Sequence, residues 1–352
     1  MKQLLVVFTG GTIGSRKQGA GIDVNKSGSY ALTDAYDHSP LKREDVTLHA
    51  IQPLNLLSEN IEPADWLALA AAIRGVDLSA YDGVIITHGS DTLAYSAAML
   101  SYLFANSSVP IVLTASNYPL SEERSNGLRN FANAVDFILD AGLMGLFVVY
   151  ENEQGSPLVY LGTRMTQAVS FTDQYSSPYG IPYGVMADQR FIWHADVRNP
   201  KPEALKKARV SPFQWEPDTL AIDSGIVYIR PYPGLNYYFY DFSVQKPKAV
   251  LHDLHHSGTA CATEEGPYSL PLFIASCLSL GIDFYICPIR DRESALYSSS
   301  LRLIEAGAIV LDRMSIEAAI TKLMLGYGLY DDQKQVETFV TRTTLFYEHN
   351  EV

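Results

Sequence analysis

The sequence predicts an α/β protein in two parts: a larger N-terminal domain with a mainly parallel sheet flanked by helices, and a smaller C-terminal α/β domain. Three observations carry this. Short β-branched runs alternate with helical stretches over the first part of the chain, the pattern of a parallel sheet covered on both faces. A stretch over 199–218 then breaks the alternation with Pro200, Pro202, Pro212 and Pro217, charged residues between them and little apolar periodicity, and reads as an interdomain linker. The length of 352 residues suits two domains, at roughly 100–200 residues per domain. The bounds read from sequence are 1–198, a linker over 199–221, and 222–352.

Each element has its own signal. Residues 4–8 are an apolar run ending in Thr9-Gly10-Gly11, the way a buried parallel strand opens into a functional loop. Val46–Ile51 is a second strand. Over 63–73, Trp66, Leu67, Leu69, Ala70 and Ile73 fall on one face at the spacing of an amphipathic helix. Residues 84–87 form a strand entering His88-Gly89-Ser90-Asp91, followed by a helix over 92–104 and a strand over 111–114. A long helix is expected over 122–139, with Leu128, Phe131, Ala132 and Val135 facing inward, then a strand over 146–150. A helical turn is read at 203–208. Beyond it, strands are expected at Ile226–Ile229, 249–251 and 282–286, and helices over 270–280 and 316–325.

Composition narrows the function. With 47% hydrophobic and 18% charged residues the chain is core-forming. Its formal net charge of −13 would repel phosphate backbones and anionic membranes, which argues against nucleic-acid and membrane partners. The three cysteines, Cys261, Cys277 and Cys287, make no disulfide framework and no zinc spacing, and read as buried small hydrophobes in a reducing compartment. The first residues lack a secretory apolar region, and no apolar run approaches the roughly 20 residues that span a bilayer, so the chain reads as cytoplasmic.

Two segments at strand ends can carry chemistry. In Thr9-Gly10-Gly11-Thr12-Ile13-Gly14, paired glycines allow close backbone approach and leave the Thr12 hydroxyl beside amides. The spacing fits neither the dinucleotide fingerprint nor the P-loop, and taken alone it reads first as a tight turn. In His88-Gly89-Ser90-Asp91-Thr92, Asp91 and Thr92 are candidate helix caps, and Ser90 with Asp91 is a candidate binding pair. His88 is read as a structural donor.

Taken together, these two segments resemble the signatures of the bacterial-type L-asparaginase family, TGGTI and HGTDT, and the resemblance runs over nearly the whole chain. Leu57-Ser58-Glu59-Asn60-Ile61 resembles the family's substrate loop. Tyr232-Pro233-Gly234 opens the second domain as in the cytosolic type I branch, and the helix beginning Met314-Ser315-Ile316-Glu317 resembles the family's late helix. The resemblance implies a cofactor-free and metal-free hydrolysis of asparagine to aspartate and ammonia by a homodimer or homotetramer. It implies Thr12 as nucleophile, Ser90 in place of the second threonine, and Asp91, Ser58 and Glu59 around the substrate's α-amino and α-carboxylate groups. Gly11 and Gly89 are expected among the substrate-binding residues with them. Backbone amides of the glycine turn are expected to stabilise the oxyanion.

The sequence also departs from the family pattern. Gly162-Thr163-Arg164-Met165-Thr166-Gln167-Ala168 places Gln167 where the family has a lysine, and an amide neither accepts a proton near neutral pH nor lends charge to Asp91. Arg164 is weighed as a charge-stabilising substitute, and Lys17 and Lys26 are read as solvated loop residues. The family's mobile lid corresponds to residues 15–36, where the tyrosine role is assigned to Tyr30 rather than Tyr36. A second-domain Gly-x-Gly-Asn motif is replaced by His256-Ser257-Gly258-Thr259, with Glu264 and Glu265 read as a solvated pair. Two further readings stand beside the amidohydrolase: an amino-acid-binding or regulatory protein without hydrolysis, and a related reaction on another small amide or ester.

Overall fold

The computed structural model describes residues 1–11, 13, 15–18, 21–24, 28–153, 155–289 and 295–350, with backbone alone over 15–18, 21–24 and 28–29. Their contacts divide them into two compact units. The first is Met1–Leu220 with Leu345–Tyr347, and the second is Ala221–Thr344 with the stretch beginning at Glu348.

The first unit contains β1 (Lys2–Phe8), β2 (Ser15–Gln18), β3 (Gly21–Val24), α1 (Gly28–Asp37), β4 (Val46–Ile51), α2 (Pro63–Arg74), β5 (Gly83–Thr87), α3 (Leu93–Leu103) and β6 (Pro110–Thr114). It continues with α4 (Gly127–Ala141), β7 (Gly145–Glu151), β8 (Pro157–Leu161), β9 (Gly184–Ala187) and β10 (Arg190–Trp193). Eight strands form one sheet in the order β10-β9-β8-β7-β6-β5-β1-β4. The strands from β4 to β7 pair in parallel, and β8, β9 and β10 extend the sheet antiparallel. The α/β class with a mainly parallel sheet therefore holds. The antiparallel extension was not foreseen, because these short strands are joined without crossover helices and β10 alternates in exposure like an edge.

All residues of β5 and β6 are buried, which only a strand covered on both faces permits, and their uninterrupted apolar runs follow from it. Leu4, Val6 and Phe8 of β1 share a core with Ile85, Val112, Phe131 and Val135. On α2 Trp66, Leu69, Ala70 and Ile73 of the foreseen face are buried while Leu67 is only half-buried, with Pro63 in the first turn and a capping box between Glu62 and Asp65. Helix α4 begins at Gly127, later than the expected 122. The intervening residues are held in turns by Asn117 and Asn126, each accepting the other's backbone N–H, at 2.9 and 3.0 Å.

The proline-rich stretch is part of the first unit. Leu205, Phe213, Trp215 and Leu220 are buried, a helical turn spans Pro202–Leu205, and Trp215 Nε1 donates to Leu103 O at 2.8 Å.

The second unit contains β11 (Ile226–Ile229), β12 (Ala249–Asp253), α5 (Leu270–Ser279), β13 (Asp283–Ile289), α6 (Ser298–Glu305), β14 (Ile309–Asp312), α7 (Ile316–Leu329) and α8 (Gln333–Arg342). Its four strands form an all-parallel sheet in chain order. Val250, Phe273, Ile274, Phe284, Ile286 and Leu303 lie at its core. Cys277 and Cys287 are buried as expected, whereas Cys261 is exposed, which corrects the reading of that residue. Among the described residues no helix is long and apolar enough to cross a membrane.

Candidate active site

At the C-terminal edge of the large sheet Phe8 lies opposite Thr87, so the loops leaving β1 and β5 start side by side. Thr9 donates twice to Thr87 O, from its backbone N–H at 3.3 Å and its hydroxyl at 2.9 Å. Gly10 then forms a short parallel bridge with Leu56, where Leu56 N donates to Thr9 O at 3.0 Å and Gly11 N to Leu56 O at 2.9 Å. This draws the segment carrying Ser58 against the glycine turn.

Gly10 and Gly11 have φ of +98° and +71°, a region that disfavours side chains. A Cβ at Gly11 would fall on the backbone of Gly89, and a Cβ at Gly89 would fall on the Ser58 side chain. The three segments singled out from sequence are therefore stacked, Gly11 on Gly89 on Ser58, and the glycines are there because the loops pack on one another. The Gly11 N–H donates to Leu56 O, so among the described glycine amides this one is engaged in the loop pairing. Thr12 and Gly14 lie outside the described residues.

Ser58 is buried in a short helical turn, and its hydroxyl has no hydrogen-bond partner among the described residues. Glu59 beside it is exposed. Thr92 does not cap α3 with its side chain; its hydroxyl donates instead to Ser58 O at 2.9 Å, tying the Ser58 segment to the helix start. Asp91 is exposed and Ser90 half-buried.

His88 is fully enclosed. Its Nδ1–H donates to Gly89 O at 2.8 Å, and Nε2 has no partner among the described residues. Burial holds the imidazole pKa down to about 4, so the ring is neutral at neutral pH. The structural reading of His88 holds for one nitrogen only.

Gln167 is half-buried, and its amide nitrogen donates to the backbone oxygen of Asp91. The position meant for a base thus holds main chain. Arg164 is no substitute, because its guanidinium donates to Tyr347 O at 2.5 Å and Arg198 O at 2.6 Å. Tyr36 is buried and its hydroxyl accepts from Arg43 N at 3.0 Å, so it belongs to the core, while Tyr30 is 57% exposed on α1. Lys26 lies outside the described residues, and only the backbone of Lys17 is described. In the second unit Glu264 is exposed and 3.5 Å from Arg302, and Glu265 is exposed.

Sequence reasoning missed Tyr175 and Asp173. A cavity of about 300 Å³ is lined by Ser90, Asp91, Gln167, Asp173 and Tyr175 among others. Desolvation raises the Asp173 carboxyl above the usual range, with the Glu153 charge acting the same way. Nothing local in Thr172-Asp173-Gln174-Tyr175 signals a site, since the contacts are made to residues far along the chain.

The family model for the N-terminal part of asparaginases matches residues 3–198. The chain belongs to the asparaginase family. It is similar to an L-asparaginase of Thermococcus kodakarensis, 27% identical over 97% of each chain, and to L-asparaginase 1 of Escherichia coli K12, 29% identical over 92% of this chain and 90% of that one. It is also similar to a chain of the glutamyl-tRNA(Gln) amidotransferase of Methanococcus maripaludis, 25% identical over 94% of this chain and 77% of the other. The fold matches the solved thermostable L-asparaginase from Thermococcus kodakarensis with a TM-score of 0.78, at 24% identity over 99% and 100% of the two chains. Family membership supports a hydrolase acting on amides.

Proposed function

We propose that this chain is an amidohydrolase of the L-asparaginase type, hydrolysing L-asparagine or a related small amide to L-aspartate and ammonia with Thr12 as nucleophile. The observation that carries the reading is the stacking of Gly11 on Gly89 and of Gly89 on Ser58, which gathers the segments of Thr12, Ser58 and Ser90-Asp91 at one sheet edge. The Thr12 oxygen bonds to the amide carbon, the C–N bond breaks, and the nitrogen leaves as ammonia with the threonine proton, which Ser90 relays. Water then cleaves the acyl ester, releasing aspartate and restoring the hydroxyl. Asp91 takes the α-ammonium, with Glu59 beside it. The unpartnered Ser58 hydroxyl suits a donor waiting for the α-carboxylate. Tyr30 on α1 is the lid tyrosine of this scheme.

Gln167 cannot act as a base, and general-base assistance is typically worth ~10²–10⁴-fold, so the reaction is slow. The proposal includes a cytoplasmic location and a homodimeric or homotetrameric state, both resting on the resemblance. The Gln167 amide on Asp91 O favours a second reading, an amino-acid-binding protein without hydrolysis.

Ammonia release from millimolar L-asparagine and L-glutamine, with Thr12→Ala beside wild type, separates the two. Release that disappears in Thr12→Ala is expected, and Gln167→Lys should raise it about tenfold or more. No release above Thr12→Ala, with L-aspartate still raising the Tm of wild type more than that of Asp91→Asn, would establish the binding protein instead.

A further inference from the structure

We propose that Tyr175 is a positioning residue, braced by Asn152 and Tyr160, that fixes the Ser90–Asp91 main chain and so aims the Asp91 carboxylate at the substrate's α-ammonium group. This rests on the reading of Asp91 given above.

Tyr175 is buried, and its hydroxyl donates to Ser90 O at 2.5 Å. Gln167 donates to the next carbonyl, that of Asp91. Two successive backbone oxygens just before α3 are thus held by side chains from one segment, at a helix start whose own Thr92 hydroxyl is committed elsewhere.

The donor itself is rigid. Asn152 pairs with both backbone polar groups of Tyr175, donating to its oxygen at 3.0 Å and accepting from its N–H at 3.1 Å. Tyr160 Oη donates to the same Tyr175 oxygen at 3.1 Å. The Tyr175 ring stands edge-on to Tyr150 with centroids 4.7 Å apart. Tyr150 lies in β7, Tyr160 in β8, and Asn152 just past β7, so the first antiparallel strand pair of the sheet is the pedestal. Burial and the nearby Asp91 and Asp173 charges push the phenol far above neutral, and it stays a donor throughout the working pH range.

With its hydroxyl committed to Ser90 O, Tyr175 acts through the backbone. A small rotation of that peptide swings the Asp91 side chain, and misplacement of a binding group by about 1 Å is enough to cost orders of magnitude. Asp91 is exposed and has no side-chain hydrogen bond among the described residues, so its direction depends on its main chain.

The test compares L-asparagine with succinamate, which keeps the amide and carboxylate but lacks the α-ammonium. Tyr175→Phe retains the ring and deletes the hydroxyl. We expect its KM for L-asparagine to rise about tenfold with kcat within about threefold, and its KM for succinamate to stay within about twofold. Equal changes for both amides, or none, would overturn the proposal, because a tyrosine that only stabilises the fold does not distinguish them. Should Tyr175→Phe fail to fold, Tyr160→Phe is read instead, with a shift of about twofold to threefold in the same direction. If wild type releases no ammonia, the hydrolytic reading fails separately, and calorimetry with L-aspartate and succinate takes over. Tyr175→Phe should then lose about tenfold in affinity for L-aspartate alone. Equal losses, or a wild type that binds neither, overturn the inference.

Discussion

His88 and His252 occupy comparable places in the two units, each buried near the C-terminal end of a central parallel strand with Nδ1 bonded to the next residue's carbonyl. Their other nitrogens differ. His252 Nε2 accepts from Tyr237 Oη at 2.9 Å, whereas His88 Nε2 has no partner among the described residues. The Thr87 and Ser58 hydroxyls at the same sheet edge are also buried without partners among the described residues. Burying polar groups unpaired is unfavourable, and their gathering at one sheet edge is what the proposed ligand-binding role of that edge would account for.

The largest expected effect comes from crowding. Gly11 has a positive φ and backbone where a Cβ would go, whereas Gly258 in the second unit has φ +73° with its nearest neighbour 3.8 Å from a Cβ. Gly11→Ala should therefore destabilise by about 3 kcal/mol or more and abolish turnover, and Gly258→Ala by about 1 kcal/mol. Denaturant unfolding of both variants checks this, and equal losses would remove the distinction.

Acid should act next. The His88 pKa, ordinarily 6.5, is held down to about 4 by burial, so below 6.5 the unfolded chain takes up the proton first. The stability this histidine contributes is complete above pH 6.5 and is lost as pH falls to 4, a change of about 3 kcal/mol. His252 carries a similar depression. His88→Asn should flatten the fall between those pH values by about that amount, and a variant curve parallel to wild type would show that His88 is not the group responsible.

The smallest stability effect is the most diagnostic. Tyr237→Phe strands His252 Nε2 and should cost about 1–2 kcal/mol. Ser58→Ala removes a hydroxyl that has no partner among the described residues and should leave stability within about 0.5 kcal/mol, while raising KM for the amide. A Ser58→Ala protein as destabilised as Tyr237→Phe would mean that the hydroxyl is structural.

How far the sequence reached follows the same division. The parallel strands were legible because strands buried on both faces are continuous apolar runs, as in β5 and β6. Strands β8 to β10 were not, being short and bounded by irregular turns, and α6, β14 and α8 were not read either, although Val336, Phe339 and Val340 of α8 recur at helical spacing and are buried. The glycine-marked loops announced themselves, since close backbone contact restricts the residue type locally. Tyr175 and Asn152 did not, because a side chain reaching a distant carbonyl leaves no local trace, nor did Asp173, whose side chain meets the distant Asn117. Gln167 was noticed only as a departure from the family pattern, and its attachment to the Asp91 backbone became visible only in three dimensions.

Each unit depends on a few residues from the same late stretch. Phe346 is fully buried in the first unit's core, and in the second Lys322 Nζ, itself fully buried, donates to Glu348 Oε1 at 2.6 Å and Thr343 O at 2.5 Å. A lysine enclosed without its carboxylate is strongly unfavourable, by about 3–5 kcal/mol. In synthesis, where N-terminal domains generally fold first, both units therefore still await contacts from this late stretch. The first core is complete only once Phe346 has been made, and the buried Lys322 is paired only once Glu348 has.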